Sequence, residues 1–380
     1  MKKLILFLFL VPALWAKPSI CLNMIVKDEA DVIERSLGSV KHLIDYWVIF
    51  DTGSSDGTQE KIRKFMKDVP GELHERPWVD FAHNRNEALV AARGKGDYLL
   101  FMDADEIFEY EEGFVLPKLD KDFYTMTLRQ MDAADCTRVA LVNMRHDWKW
   151  EGVLHEVISC VAASSGGHLE KVINICNTAI GGRSKVSTRE KYLKDAKVFE
   201  EALKKEPGNS RYMYYLGISY SAAGEHGLAV EAFRKRAGMT SLDVQETYMA
   251  LYNLGLSQEK SGDLDGAIDS YFKAHSFRPI RAEPLYQAAS LYRKKGNVLL
   301  GYLLSKYALT IPYPEGENCV DYTAYDHKTL IEFANCALLC GKVGEGLKAC
   351  EKLLENPNLP QEYKGSVLSN LEYAKGLVAQ

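Results

Sequence analysis

Apolar positions in the first hundred residues fall in short bursts separated by helical patterns. Ile20, Cys21, Leu22, Met24, Ile25 and Val26 form one burst. Trp47, Val48, Ile49 and Phe50 form a second, and Tyr98, Leu99, Leu100, Phe101 and Met102 a third. Continuous apolar runs this short suit strands covered on both faces. Between the first two bursts, Ile33, Leu37, Val40 and Ile44 recur on one helix face. Between the last two, Ile62, Phe65, Met66 and Val69 do the same. Strands alternating with helices predict an α/β unit with a Rossmann-like, mostly parallel sheet. Ligands of such sheets gather at the carboxyl ends of the strands, which places Lys27, Asp28, Asp51 and Asp103 around one crevice.

The pattern changes near residue 185. From Ser187 onward helical periodicity dominates, and an internal period emerges. Gly217, Ala229 and Phe233 are spaced 12 and 4 apart; Gly255, Ala267 and Tyr271 repeat those intervals, followed by Ala274 and Pro279. Ala289, 34 residues after Gly255, opens a third unit with Gly301 and Ala308. Phe199, Ala202 and Pro207 read as the second half of an earlier unit. Gly316 to Tyr325 interrupts the period, and His327 to Leu354 reads as a degenerate helix pair. Small residues at such positions let two helices approach closely, and stacked pairs bury a continuous core. This half resembles the tetratricopeptide repeat family. The resemblance implies an all-α solenoid over residues 187–380, with a concave surface for a protein or peptide partner.

Composition adds limits. Charged residues are 26% and hydrophobic residues 47% of 380 residues, which excludes a disordered, collagenous or coiled-coil chain. The net charge of −5 gives no electrostatic reason to expect nucleic acid. Lys2 and Lys3 precede the apolar run Leu4–Leu14, and Ala16 offers a small residue for cleavage. Residues 1–16 thus read as a secretory signal peptide, or as an anchor lying on a membrane. Both place the protein in an exported or membrane-associated setting. The cytoplasmic face of a membrane is the alternative. None of the eight cysteines forms a C-x-x-C, which argues against thiolate metal binding. Cys336 and Cys340, four apart on a predicted helix, are expected as buried free thiols.

The chemistry lies in the first half. Asp103-Ala104-Asp105-Glu106 follows directly on the third apolar burst. Carboxylates two apart beyond a strand end can share a divalent cation, and hard oxygen ligands suit Mn2+ or Mg2+. Such a cation can bridge a diphosphate, whose departure requires charge neutralisation. Asp51-Thr52-Gly53-Ser54-Ser55-Asp56-Gly57-Thr58 follows the second burst; Asp51 is placed to accept hydrogen bonds from a uracil or ribose. Arg85, in Asn84-Arg85-Asn86-Glu87-Ala88-Leu89, sits near a helix start, where it can meet a phosphate.

These blocks, with Asn23-Met24-Ile25-Val26-Lys27-Asp28-Glu29 ahead of them, resemble family 2 glycosyltransferases of the GT-A fold in order and spacing over residues 19–185. The resemblance implies inverting transfer from a nucleotide-diphosphate sugar, typically a UDP-sugar, to an acceptor hydroxyl on a glycan, lipid or protein. By position, Lys27, Asp28, Glu29 and Asp51 hold the nucleoside. Arg85 approaches the pyrophosphate, and Asp103 and Asp105 engage the metal. Trp148-Lys149-Trp150-Glu151-Gly152-Val153-Leu154-His155-Glu156 resembles the block that closes the catalytic domain. There His155 is a further metal or diphosphate ligand, and Trp148 or Trp150 is expected to stack on a sugar. Inversion needs a base to take the acceptor proton; Glu156, Asp132 and Asp135 are the candidates. The competing reading is a tetratricopeptide-repeat scaffold carrying a catalytically silent transferase-like domain. A nucleotidyltransferase or hydrolase on a similar sheet would need a phosphate-binding loop that the sequence lacks.

Overall fold

The computed structural model describes residues 17–130, 135–176, 187–240 and 244–378. The N-terminal segment 1–16 and Asp132 therefore lie outside the described residues. The described part of the first half is built on an eight-stranded sheet in the order β3-β2-β1-β4-β7-β6-β10-β5. Its strands are β1 (Ile20–Val26), β2 (Tyr46–Asp51), β3 (Gly71–Glu75), β4 (Tyr98–Phe101), β5 (Glu106–Tyr110), β6 (Phe123–Gln130), β7 (Cys136–Asn143) and β10 (Gly166–Cys176). A separate two-stranded ribbon pairs β8 (Lys149–Glu151) with β9 (Val157–Ser159). Four of the seven neighbour pairings in the large sheet are parallel. The antiparallel pairings involve β5, β6 and β7.

The first strands are apolar throughout because both faces are covered. Leu22, Met24 and Val26 of β1 face one core together with Ile33 and Leu37 of α1 (Ile33–Val40) and Ile62 of α2 (Thr58–Phe65). Cys21 and Ile25 face the opposite core, with Ala88 and Leu89 of α3 (Phe81–Ala91) and both Trp148 and Trp150. The register of β1 against β2 sets Val26 opposite Asp51, so the carboxyl ends of the central strands open on one edge.

The second half is helical, as the periodicity requires. After α4 (Thr188–Lys205) come the pairs α5 (Ser210–Ala222) with α6 (His226–Ala237), α7 (Val244–Ser261) with α8 (Leu264–Phe277), and α9 (Glu283–Lys294) with α10 (Val298–Ala308). The expected interruption is a loop followed by a π-helical turn at Ala324–Lys328. The degenerate pair is α11 (Thr329–Leu339) with α12 (Val343–Glu355), and α13 (Gln361–Val378) closes the stack. The small residues act as proposed. A Cβ on Gly217 would lie 2.7 Å from the Phe233 ring, and one on Gly255 2.5 Å from the Tyr271 ring. Among the described residues, no helix is long and apolar enough to cross a membrane. All eight cysteines are free thiols; Cys336 is buried, whereas Cys340 is only half-buried.

Candidate active site

The loops after β1 and β2 are zipped together. The Asp28 amide donates to Ser54 Oγ at 2.8 Å, and the Ser55 amide donates to Asp28 Oδ1 at 2.8 Å. The Glu29 amide donates to Thr58 Oγ1 at 2.9 Å. Asp28 adopts φ 54° to make this crossing, and Gly53 and Gly57 take φ 106° and 92°, conformations that glycine reaches without a Cβ penalty. Asp28 is thus a brace between loops, while the Lys27 side chain is exposed. Asp51 is completely buried at the end of β2. Its Oδ1 accepts from the Gly53 and Ser54 amides and from Gln59 Nε2. Its Oδ2 is buried and meets no donor among the described residues. An unmatched carboxylate oxygen at that depth is costly unless a ligand supplies the donor.

Asp103 follows β4. Arg85, in the second turn of α3, donates Nη2 to Asp103 Oδ1 at 2.6 Å and Nε to Glu156 Oε1 at 2.5 Å. Its guanidinium also lies over the Trp150 ring, 4.9 Å from the centroid. Arg138 of β7 pairs with Asp103 Oδ2 at 3.5 Å and with the buried Glu106. Glu106 further accepts from Asn174 Nδ2 at 2.8 Å and from the Asp103 amide at 3.0 Å. Burial opposes the charge on Asp103, but the two guanidiniums outweigh it and hold that carboxyl below the usual range. Asp105 is the opposite case. Burial first, then the carboxylates of Asp103, Glu106 and Glu29, push it up to about 7. A carboxylate crowded by carboxylates favours a proton or a bound cation. Hard oxygen donors of this kind would suit a divalent cation at Asp105, whereas both Asp103 oxygens are already paired with arginines.

The sequence reading missed Arg138. Its signal is present: an arginine inside the apolar strand segment Thr137–Val142 is out of place unless it answers a buried acid. The two tryptophans correct the sequence reading. Trp148 and Trp150 are buried, and Trp150 packs edge-on against Phe101 at 5.0 Å. Their rings complete the core under α3 and offer no open platform for a sugar. His155 adopts φ 50° and stacks flat on Tyr215 of α5, with ring centroids 4.3 Å apart. Among the described residues, no three His, Cys, Asp or Glu side chains gather as a preformed metal cage. Glu156 is engaged by Arg85, and Asp135 pairs with Arg129 of β6 on the surface.

Two family models match separate parts of the chain. Residues 21–135 match the family model described as Glycosyl transferase family 2, and residues 196–241 match a tetratricopeptide repeat model. A TPR repeat-containing protein of Synechococcus elongatus is 27% identical over 78% of this chain and 76% of its own length. The prophage-derived glycosyltransferase SunS of Bacillus subtilis is 22% identical over 57% of this chain and 53% of its own. Among solved structures, MamA is 19% identical over 49% of this chain and 98% of its own, at a TM-score of 0.38.

Proposed function

We propose that the protein is a metal-dependent, inverting glycosyltransferase that moves a sugar from a nucleotide diphosphate, typically UDP, to an acceptor hydroxyl on a glycan, lipid or protein. The observation that carries this reading is the array at the strand ends: Asp51 with an unmatched oxygen, Asp105 crowded by acids, and Arg85 between Asp103 and Glu156. The matches to a family 2 domain and to a relative named as a glycosyltransferase support it.

In this reading Asp51 Oδ2 accepts from the nucleobase or ribose, and Lys27 and Glu29 border the same pocket. Asp105 and Asp103 would hold Mn2+ or Mg2+, with His155 as the further candidate ligand that the motif supplies. Bound there, the cation supplies Lewis-acid neutralisation of the departing diphosphate. Arg85, fixed by two carboxylates, adds a positive charge near the diphosphate without needing to reorganise. Because Glu156 is committed to Arg85, its carboxylate anchors that arginine as well as standing as a candidate base beside Asp132 and Asp135. Residues 1–16 carry the protein to an exported or membrane-bound position, or hold it on the cytoplasmic face.

A screen for UDP release from UDP-sugars in Mn2+ tests this reading. Release is expected from the full chain and is expected to fall at least about 100-fold in Asp105→Asn. Equal release by the variant would remove the metal mechanism. The scaffold reading retains one specific support, the occupation of both Asp103 oxygens by arginines. Absence of any nucleotide binding would favour it.

A further inference from the structure

The turn between β8 and β9 joins the two halves of the chain residue by residue. Leu154 is buried among Ala196, Phe199, Tyr212 and Leu216 of α4 and α5. His155 lies flat on the Tyr215 ring at 4.3 Å, and its carbonyl accepts from Arg211 Nη2 at 3.0 Å. The next residue, Glu156, turns back to Arg85 at 2.5 Å. Left-handed φ at a non-glycine residue such as His155 costs on the order of 1 kcal/mol and persists only where surrounding contacts hold it. Those contacts come from the first complete repeat. Arg211 covers the Tyr215 ring at 4.8 Å and pairs with Glu246 of α7 at 2.6 Å. Glu246 in turn faces the fully buried Arg236 at 3.7 Å.

We propose that Tyr215 and Arg211 are positioning residues of the active site. Their grip on His155 sets the backbone from which Glu156 reaches Arg85, and Arg85 in turn holds Asp103. The first complete repeat is therefore a structural part of the catalytic centre as well as a surface for partners. The proposal rests on the glycosyltransferase reading for its catalytic consequence, but the geometry it invokes can be observed without turnover.

The test uses the full chain with Tyr215→Ala, Tyr215→Phe and Arg211→Ala, and Leu291→Ala as a control that lowers stability within the solenoid, far in sequence from the turn. Two quantities are read: the protected Nε–H resonance of Arg85, assigned with Arg85→Lys, and kcat and KM for UDP-sugar. The expected result is loss of the Arg85 resonance in Tyr215→Ala and Arg211→Ala. The same variants should show a kcat lower by about 10–100-fold, with donor KM changed by less than about 3-fold. Tyr215→Phe should keep both properties, because the ring is retained, and Leu291→Ala should keep both despite its lower Tm. An Arg85 resonance that survives in Tyr215→Ala overturns the proposal whatever the activity. If the wild-type chain turns over no UDP-sugar while the resonance is lost in Tyr215→Ala, positioning stands and the glycosyltransferase reading falls.

Discussion

At the scale of single residues, the site is a contest between acids and arginines. Arg138 neutralises Glu106 and Asp103 at once. Arg138→Met should therefore destabilise the fold by about 3 kcal/mol, because it strands a buried acid. Arg138→Met with Glu106→Gln should recover most of that loss in a urea titration. Asp105 has no such compensation, and its raised pKa carries a pH signature. Its carboxyl ordinarily titrates at 3.8 but at about 7 in the folded chain, so the native state holds the proton more tightly. In chelator, that contribution to stability is fully present below pH 3.8 and is lost as pH rises through about 7. Asp105→Asn should flatten the dependence of Tm on pH across this window. In the wild type, Mn2+ should bind more tightly as pH rises through the same range. Asp103 and Asp105 stood out in the sequence because polar residues at the end of an apolar burst are conspicuous, and Arg85 because it lies near a helix start. The burial of Trp148 and Trp150 was not, since a tryptophan suits a core and a sugar platform equally well.

At the scale of elements, the repeats were the most legible part. Glycine twelve residues before alanine and sixteen before an aromatic is a packing statement: the ring of the second helix occupies the space a Cβ would fill. Gly217→Ala and Gly255→Ala should each cost about 1–3 kcal/mol by overpacking. Gly365→Ala, inside α13 with nothing within 4 Å of the added Cβ, should instead raise stability by about 0.5–1 kcal/mol. Thermal melts of the three variants check the signs. The three central strands were equally readable because both their faces are buried. The rest of the sheet was not. β3 is short and only partly buried, β5 and β10 mix exposed and buried positions without a continuous apolar run, and the run Val139–Val142 of β7 is preceded by a charged arginine. Their order in the sheet depends on antiparallel pairings that local periodicity does not encode.

At the scale of the molecule, the two halves hold each other at more than one place. Leu154 and His155 engage α4 and α5, and the Thr137 amide at the start of β7 donates to Asn318 Oδ1 at 2.8 Å. Gln245 and Arg281 hold the Asn318 carbonyl from the repeat side. The loop that interrupts the helical period is thus a segment that reaches the eight-stranded sheet. No sequence rule pairs residues 137 and 318, so the sequence shows two domains but not how they meet. Four ordered motifs mark the strand ends in the sequence, and the match of residues 21–135 to a family 2 glycosyltransferase model falls on them.

We propose that the strand-end array captures a nucleotide diphosphate through a metal held at Asp105. Calorimetric titration of the chain from Lys17 onward with UDP, with and without Mn2+, tests it most directly. The expected binding requires Mn2+ and disappears in Asp105→Ala. Binding of equal strength without metal, or unchanged in Asp105→Ala, would contradict it.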